Sequence, residues 1–167
     1  MSDSGRIAWI NVSAGGVPKR PVQAARVTIL GVEGDSHANV RFHGGPERAV
    51  CLFALERIAA LAAEGHSIAP GAIGENVTVE GLEWSAVAPG TRLRLGPHVL
   101  LEVTSYTSPC VQIIGAFKAG DYGRVSQKRH PGWSRVYARV LGEGSIRRGD
   151  RIHLLRADAS STATGTR

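Results

Sequence analysis

Arg92-Leu93-Arg94-Leu95-Gly96-Pro97-His98-Val99-Leu100-Leu101-Glu102-Val103-Thr104 decides the fold, because it sets two short strand patterns on either side of Gly-Pro punctuation. Working outward, the same signal recurs. Strand-like runs are predicted at Arg6–Val12, Val22–Ile29, Ala49–Phe53, Asn76–Val79, Trp133–Leu141 and Asp150–Leu155. The run Ala49-Val50-Cys51-Leu52-Phe53 is apolar throughout, as in a strand covered on both faces, so Cys51 reads as packing. One helix interrupts the series. Leu55 to Glu64 places Leu55, Ile58, Leu61 and Ala62 near the spacing of one helical face, and Gly65 is its expected stop. Gly142 to Gly149 reads as a turn with a short excursion. Many short strands with one inserted helix point to a mainly β fold, a closed or nearly closed β-barrel with a few flanking helices.

At 167 residues the chain is read as one domain over 1–156, long enough to bury roughly two thirds of its unfolded surface. Residues 157–167, rich in Ala, Ser and Thr, are expected to form a disordered tail, since they offer too little apolar surface to offset ordering. The apolar fraction of 43% is that of a globular protein, and no apolar run approaches the roughly 20 residues that span a bilayer. Met1-Ser2-Asp3-Ser4-Gly5-Arg6 lacks the layout of a secretory signal, which leads to an expected cytoplasmic location without a membrane partner. The net charge of +6 raises the possibility of nucleic acid, but the basic residues are scattered and only 5% of residues are aromatic. A small anionic ligand explains the excess equally well, so no nucleic-acid partner is expected. Two cysteines allow one disulfide and no metal cluster of the Cys-x-x-Cys kind.

The strand at Val99–Thr104 runs into Ser105-Tyr106-Thr107-Ser108-Pro109-Cys110. Proline restricts the backbone there, so the next side chain leaves a strand end in a set direction, where a thiolate can bind metal or act as a nucleophile. A free cysteine is also often just a small buried hydrophobe. Two glycine-rich segments far upstream, Gly31 to Ser36 continuing to Gly45, and Gly71 to Gly81, suit either tight turns or a main chain approached by an anion or cofactor.

In order along the chain, Gly31-Val32-Glu33-Gly34-Asp35, His43-Gly44-Gly45-Pro46-Glu47-Arg48-Ala49-Val50, Gly74-Glu75-Asn76-Val77-Thr78, Pro109-Cys110 and Val136-Tyr137-Ala138-Arg139-Val140-Leu141 resemble a stand-alone MOSC domain from about Ile7 to Leu155. This family is named for the C-terminal domain of molybdenum cofactor sulfurase. The resemblance implies a barrel-like fold that holds a molybdenum cofactor (molybdopterin) in a cleft, with Cys110 as the catalytic residue and thiolate ligand to the metal. It also implies cofactor-binding roles for neighbouring residues: Lys19 and Arg20 on the phosphate, His43 and Asn76 on the pterin, Arg48 on an anion, and Glu75 on the loop or the ligand.

Each has an ordinary alternative: solvated lysine and arginine, a histidine satisfying a turn carbonyl, an Arg48 ion pair with Glu47, and Asp35 as an Asx-turn stabiliser. His37 and His43 with Cys110 form a third option, a zinc site, against which the absence of a compact ligand cluster stands. The function implied is an oxidoreductase reducing N-hydroxylated or related small substrates, which needs a separate electron-donor protein because the sequence holds no such domain. The alternative is a carrier of the cofactor, or of sulfur as a persulfide on Cys110. One departure from the family is the stretch Tyr106-Thr107-Ser108, where reductase-like relatives are expected to place an arginine. Phe117 to Tyr122 is a possible part of the cleft rim.

Overall fold

The computed structural model describes residues 2–36 and 45–156. Eleven strands and one α-helix lie among them: β1 Ser4–Val12, β2 Arg20–Val22, β3 Ala24–Thr28, β4 Gly31–Val32, β5 Val50–Ala54, α1 Leu55–Ala63, β6 Val77–Glu80, β7 Arg92–Leu95, β8 Val99–Tyr106, β9 Val136–Gly142, β10 Gly144–Arg147 and β11 Arg151–Leu155. The fold is mainly β. Seven strands close into a barrel in the order β11-β7-β8-β9-β5-β6-β1, and β1 returns to pair with β11 through Ser4↔His153, Gly5↔Ile152 and Arg6↔Arg151. β2 extends the wall beside β1.

Alternation decides which side chains enter the barrel. β7 and β11 follow a strict exposed-buried rhythm, placing Leu93, Leu95, Ile152 and Leu154 inside and Arg92, Arg94, Arg151 and His153 outside. β5 is buried along its whole length, because barrel lies on one side and α1 packs near the other. β5 and β6 are parallel, with Leu52 opposite Val77, and α1 makes the crossover such a pair requires. The helix buries Ile58 and Leu61. Its end is closed where Gly65, at φ +100°, donates to Ala62 and His66 donates to Leu61.

The Gly142–Gly149 segment corrects the reading as a turn. Its middle is β10, which joins β3 and β4 in a second, three-stranded sheet. Ile146 is its one buried side chain, too little apolar signal to announce a strand. The segment after Cys110 is a chain of 3₁₀ turns over Val111–Ala116, Lys118–Gly120 and Tyr122–Val125, with Ile113, Ala116, Phe117 and Val125 buried as anchors. Among the described residues no helix is long and apolar enough to cross a membrane. The predicted tail, 157–167, lies outside the described residues.

Candidate functional site

One end of the barrel is built from the C-terminal ends of β1 and β8, the starts of β6 and β9, and the early part of β5. At that end a narrow cleft opens, with an interior of about 60 Å³. Cys110, half-buried, stands on its wall and also borders a neighbouring hollow lined by Arg48, Tyr106 and Tyr137. Local structure explains the placement. β8 ends at Tyr106, Thr107 is pinned by donating its N–H to the Arg135 carbonyl (3.0 Å), and extended backbone carries the chain through Pro109 to Cys110. The Ile113 N–H then bonds the Cys110 carbonyl at 3.1 Å, while the buried Ile113 side chain holds the turn to the core.

The second glycine-rich segment forms the opposite wall, and its conformation depends on missing side chains. Gly71 has φ +84°, and a Cβ there would collide with the Lys19 carbonyl oxygen. The two strings are tied together by Lys19 N–H donating to the Gly71 carbonyl at 2.8 Å. Glu75 lies beneath the turn, wholly buried, accepting the Gly71 N–H at 2.8 Å. Burial pushes its carboxyl up to about 7, against the lowering by backbone donors and the Arg135 charge.

Asp35 is the hub between the walls. One carboxylate oxygen accepts the Ser13 N–H at 2.9 Å; the other accepts Lys19 Nζ at 2.5 Å and Asn76 Nδ2 at 2.9 Å. Asn76 Oδ1 in turn accepts the Cys51 N–H at 3.0 Å and its Nδ2 also donates to the Asn11 carbonyl at 3.3 Å, so its amide is oriented from three segments. The ion pair is buried, with the Lys19 side chain 8% exposed.

The structure thus brings Cys110, Lys19 and Asn76 to one cleft, with Arg48 on the adjoining hollow, its guanidinium 5.5 Å from the Tyr137 ring centre. Arg20 is exposed on β2 and does not line the cleft, and Glu75 is sealed behind the wall rather than presented to a ligand. His43, like His37, lies outside the described residues. Among the described residues no group of His, Cys, Asp and Glu is placed to hold a metal ion. Phe117 packs edge-on to His66, and the rim near Cys110 is made instead by Gln112 and Ile113.

Three residues of the cleft escaped the sequence reading. Cys51 is buried as expected yet lines the cleft, its sulfur 3.9 Å from Thr107 Oγ1 and its thiol pushed up by burial. Tyr137, its cross-strand partner, is pushed up to about 12, again chiefly by burial. Arg135 enters from the foot of β9, 6% exposed, with Nη1 on the Ile73 carbonyl at 2.7 Å and Nε without a partner. An arginine directly ahead of the run Val136-Tyr137-Ala138 is the signal that marks it.

A family model described as the MOSC domain matches residues 39–153. The chain belongs to the MOSC domain family. It is 34% identical to the YflK protein of Bacillus subtilis over 142 residues, covering 84% of this chain and 63% of that protein. A Gibberella moniliformis protein named "Reductase" is 35% identical over 133 residues, covering 77% of this chain and 23% of that one. The chain therefore spans less than two thirds of these relatives. The solved structure of YiiM from Geobacillus stearothermophilus superposes with a TM-score of 0.71 at 24% identity, over 93% of this chain and 77% of that one, a likeness of fold. Cys110, to which the sequence resemblance gives the role of marker cysteine, is half-buried in this MOSC domain.

Proposed function

We propose that the cleft holds a molybdenum cofactor through the thiolate of Cys110, and that the protein is a cytoplasmic oxidoreductase reducing N-hydroxylated or related small substrates. The observation that carries the reading is the position of Cys110, half-buried between two hollows. A soft thiolate suits a soft metal site, and the cleft around it is lined by Arg135 and by Lys19, the latter paired with Asp35, with no acidic side chain lining it among the described residues. These features fit an anionic cofactor. When bound, molybdenum supplies the two-electron redox step that the side chains of this chain cannot.

The chain's own residues hold and orient. Cys110 is placed by the strand end and the Ile113 anchor, so its sulfur is presented without rearrangement of the barrel. Asn76, whose amide N–H groups are taken by Asp35 and the Asn11 carbonyl, keeps one lone pair of Oδ1 for a ligand, and Arg48 brings a cation to the outer hollow. Glu75 acts at one remove, through the Gly71 turn that carries Lys19. His43 completes the proposed set, and Arg20, which does not line the cleft, is not part of it. The "Reductase" name on a similar fungal protein supports the reaction class, and electrons would come from a separate donor protein.

Metal analysis tests the reading on protein purified from a cofactor-competent host. Wild type is expected to carry molybdenum near one per chain and Cys110→Ser to lose it, with its melting temperature little changed. Metal-free wild type that is fully active overturns the proposal. Metal-free protein that gains sulfur on Cys110 from a cysteine desulfurase identifies a sulfur carrier instead.

A further inference from the structure

The chain leaves Cys110 as a 3₁₀ helix over Val111–Ala116, and a period of three residues puts positions three apart on one face of it. Two apolar stripes result. Ile113 and Ala116 form the inner one and tie the segment to the core, while Val111 and Ile114 form the other, 63% and 44% exposed. Single apolar side chains are ordinary on a protein surface, but these two share a face, and Val111 also borders the outer hollow that Cys110 lines. The stripe is held in place. A Cβ at Gly120 would stand 3.3 Å from Ile114 Cδ1, so the glycine lets the Lys118–Gly120 turn close against Ile114 from behind. The surroundings are basic. Between Cys110 and His130 the sequence carries Lys118, Arg124, Lys128 and Arg129 against a single acid, Asp121, and Arg48 shares the hollow. Arg124 is engaged by Glu64 at 2.9 Å and Asp121 lies 3.6 Å from Arg129, which leaves Lys118 and Lys128 exposed with no ion pair among the described residues. Apolar contact beside charge of one sign is the layout of a transient protein interface, where the first gives affinity and the second steers the encounter.

We propose that the Val111–Ile114 stripe, with the basic residues of the same segment, is the docking surface for a small acidic electron-carrier protein. The partner's role rests on the proposed redox function, because a carrier seated there sets its redox group beside Cys110 and is the reductant which that function consumes. The docking itself does not depend on it.

Binding is measured on the full chain, purified without cofactor, by calorimetry and by NMR titration with a flavodoxin and with a plant-type ferredoxin, both strongly acidic. Wild type is expected to bind at least one of them saturably in the micromolar range, and several-fold more weakly as salt rises from about 50 to about 200 mM. Val111→Asp and Ile114→Asp, each setting a like charge against the partner in place of an apolar contact, are expected to weaken binding about tenfold or more. Leu30→Asp is the control: its side chain, 79% exposed between β3 and β4, is remote from the stripe in sequence, and affinity should stay at the wild-type value. No saturable binding of either carrier, affinity indifferent to salt, undiminished affinity in Val111→Asp, or an equal loss in Leu30→Asp overturns the docking surface. Should the aspartate variants not fold, Val111→Ser is read in their place, with a several-fold loss expected and wild-type affinity overturning the proposal. Failure of the redox reading shows elsewhere, in the metal content of wild type and Cys110→Ser, and leaves these affinities as they are.

Discussion

The barrel wall and the cleft end are made from the same strands and follow opposite rules. Along the wall, Leu93, Leu95, Val99 and Leu101 on the barrel strands, and Leu52 and Phe53 on the two covered faces of β5, are buried as hydrocarbon alone. At the cleft end, every buried polar or charged side chain of the described residues is gathered, from Asn11 and Lys19 to Ser134 and Arg135. Burying such groups costs free energy even when they are paired, so the wall stabilises the fold while the cleft end spends part of that stability on a prearranged polar surface. The division teaches where substitutions hurt folding and where they hurt binding.

The sharpest way to break the comparison is at the wall. Phe53 is fully buried and meets Trp84 edge-on with ring centres 6.0 Å apart. Phe53→Ala is expected to remove about 3–5 kcal/mol, a fall in melting temperature on the order of 10 °C, without altering which ligand the cleft selects. Thermal melts and urea unfolding measure it; a loss below 1 kcal/mol would show that the wall is not the source of stability.

At the cleft end the effect should depend on pH. The fold raises the Glu75 carboxyl from its ordinary 4.5 to about 7, so the neutral form is the favoured one in the native state. The stability linked to Glu75 is present in full below about 4.5 and is lost as pH rises through about 7, because only the unfolded chain ionises it freely in between. Glu75→Gln, neutral at all pH, should lack that slope and gain on wild type by at most about 3 kcal/mol between pH 4.5 and 8. Urea unfolding at pH 5 and pH 8 checks this, and a wild-type-to-variant difference independent of pH would refute the neutral carboxyl.

The smallest effect is expected on the outside. Asp3 pairs with Arg156 at 2.8 Å, but both are exposed. Asp3→Asn should leave the melting temperature in place at physiological salt.

Regular elements were the part most open to reading from the sequence. Arg92–Leu95 was bounded to the residue because alternation and Gly-Pro punctuation agree, and α1 was found because Ile58 and Leu61 share a face ahead of Gly65. β10 escaped because one isoleucine carries its burial. At the site, the Pro-Cys motif pointed to the right wall of the cleft, whereas the roles of Asp35 and Arg135 depend on contacts between segments far apart in the chain: Asp35 with Asn76, 41 positions on, and Arg135 with Ile73, 62 positions back. Local propensity carries no trace of such distances. Cys51 illustrates the same limit, since its apolar neighbours announce burial but not that the buried face borders a cleft.

The seam between β1 and β11 joins nearly the first and last described residues. Until β11 docks the ring is open, with β1 and β7 offering bare hydrogen-bonding margins to any neighbouring chain. Joining partners so distant in sequence is an entropically costly step, which places sealing of the ring among the slow events of folding.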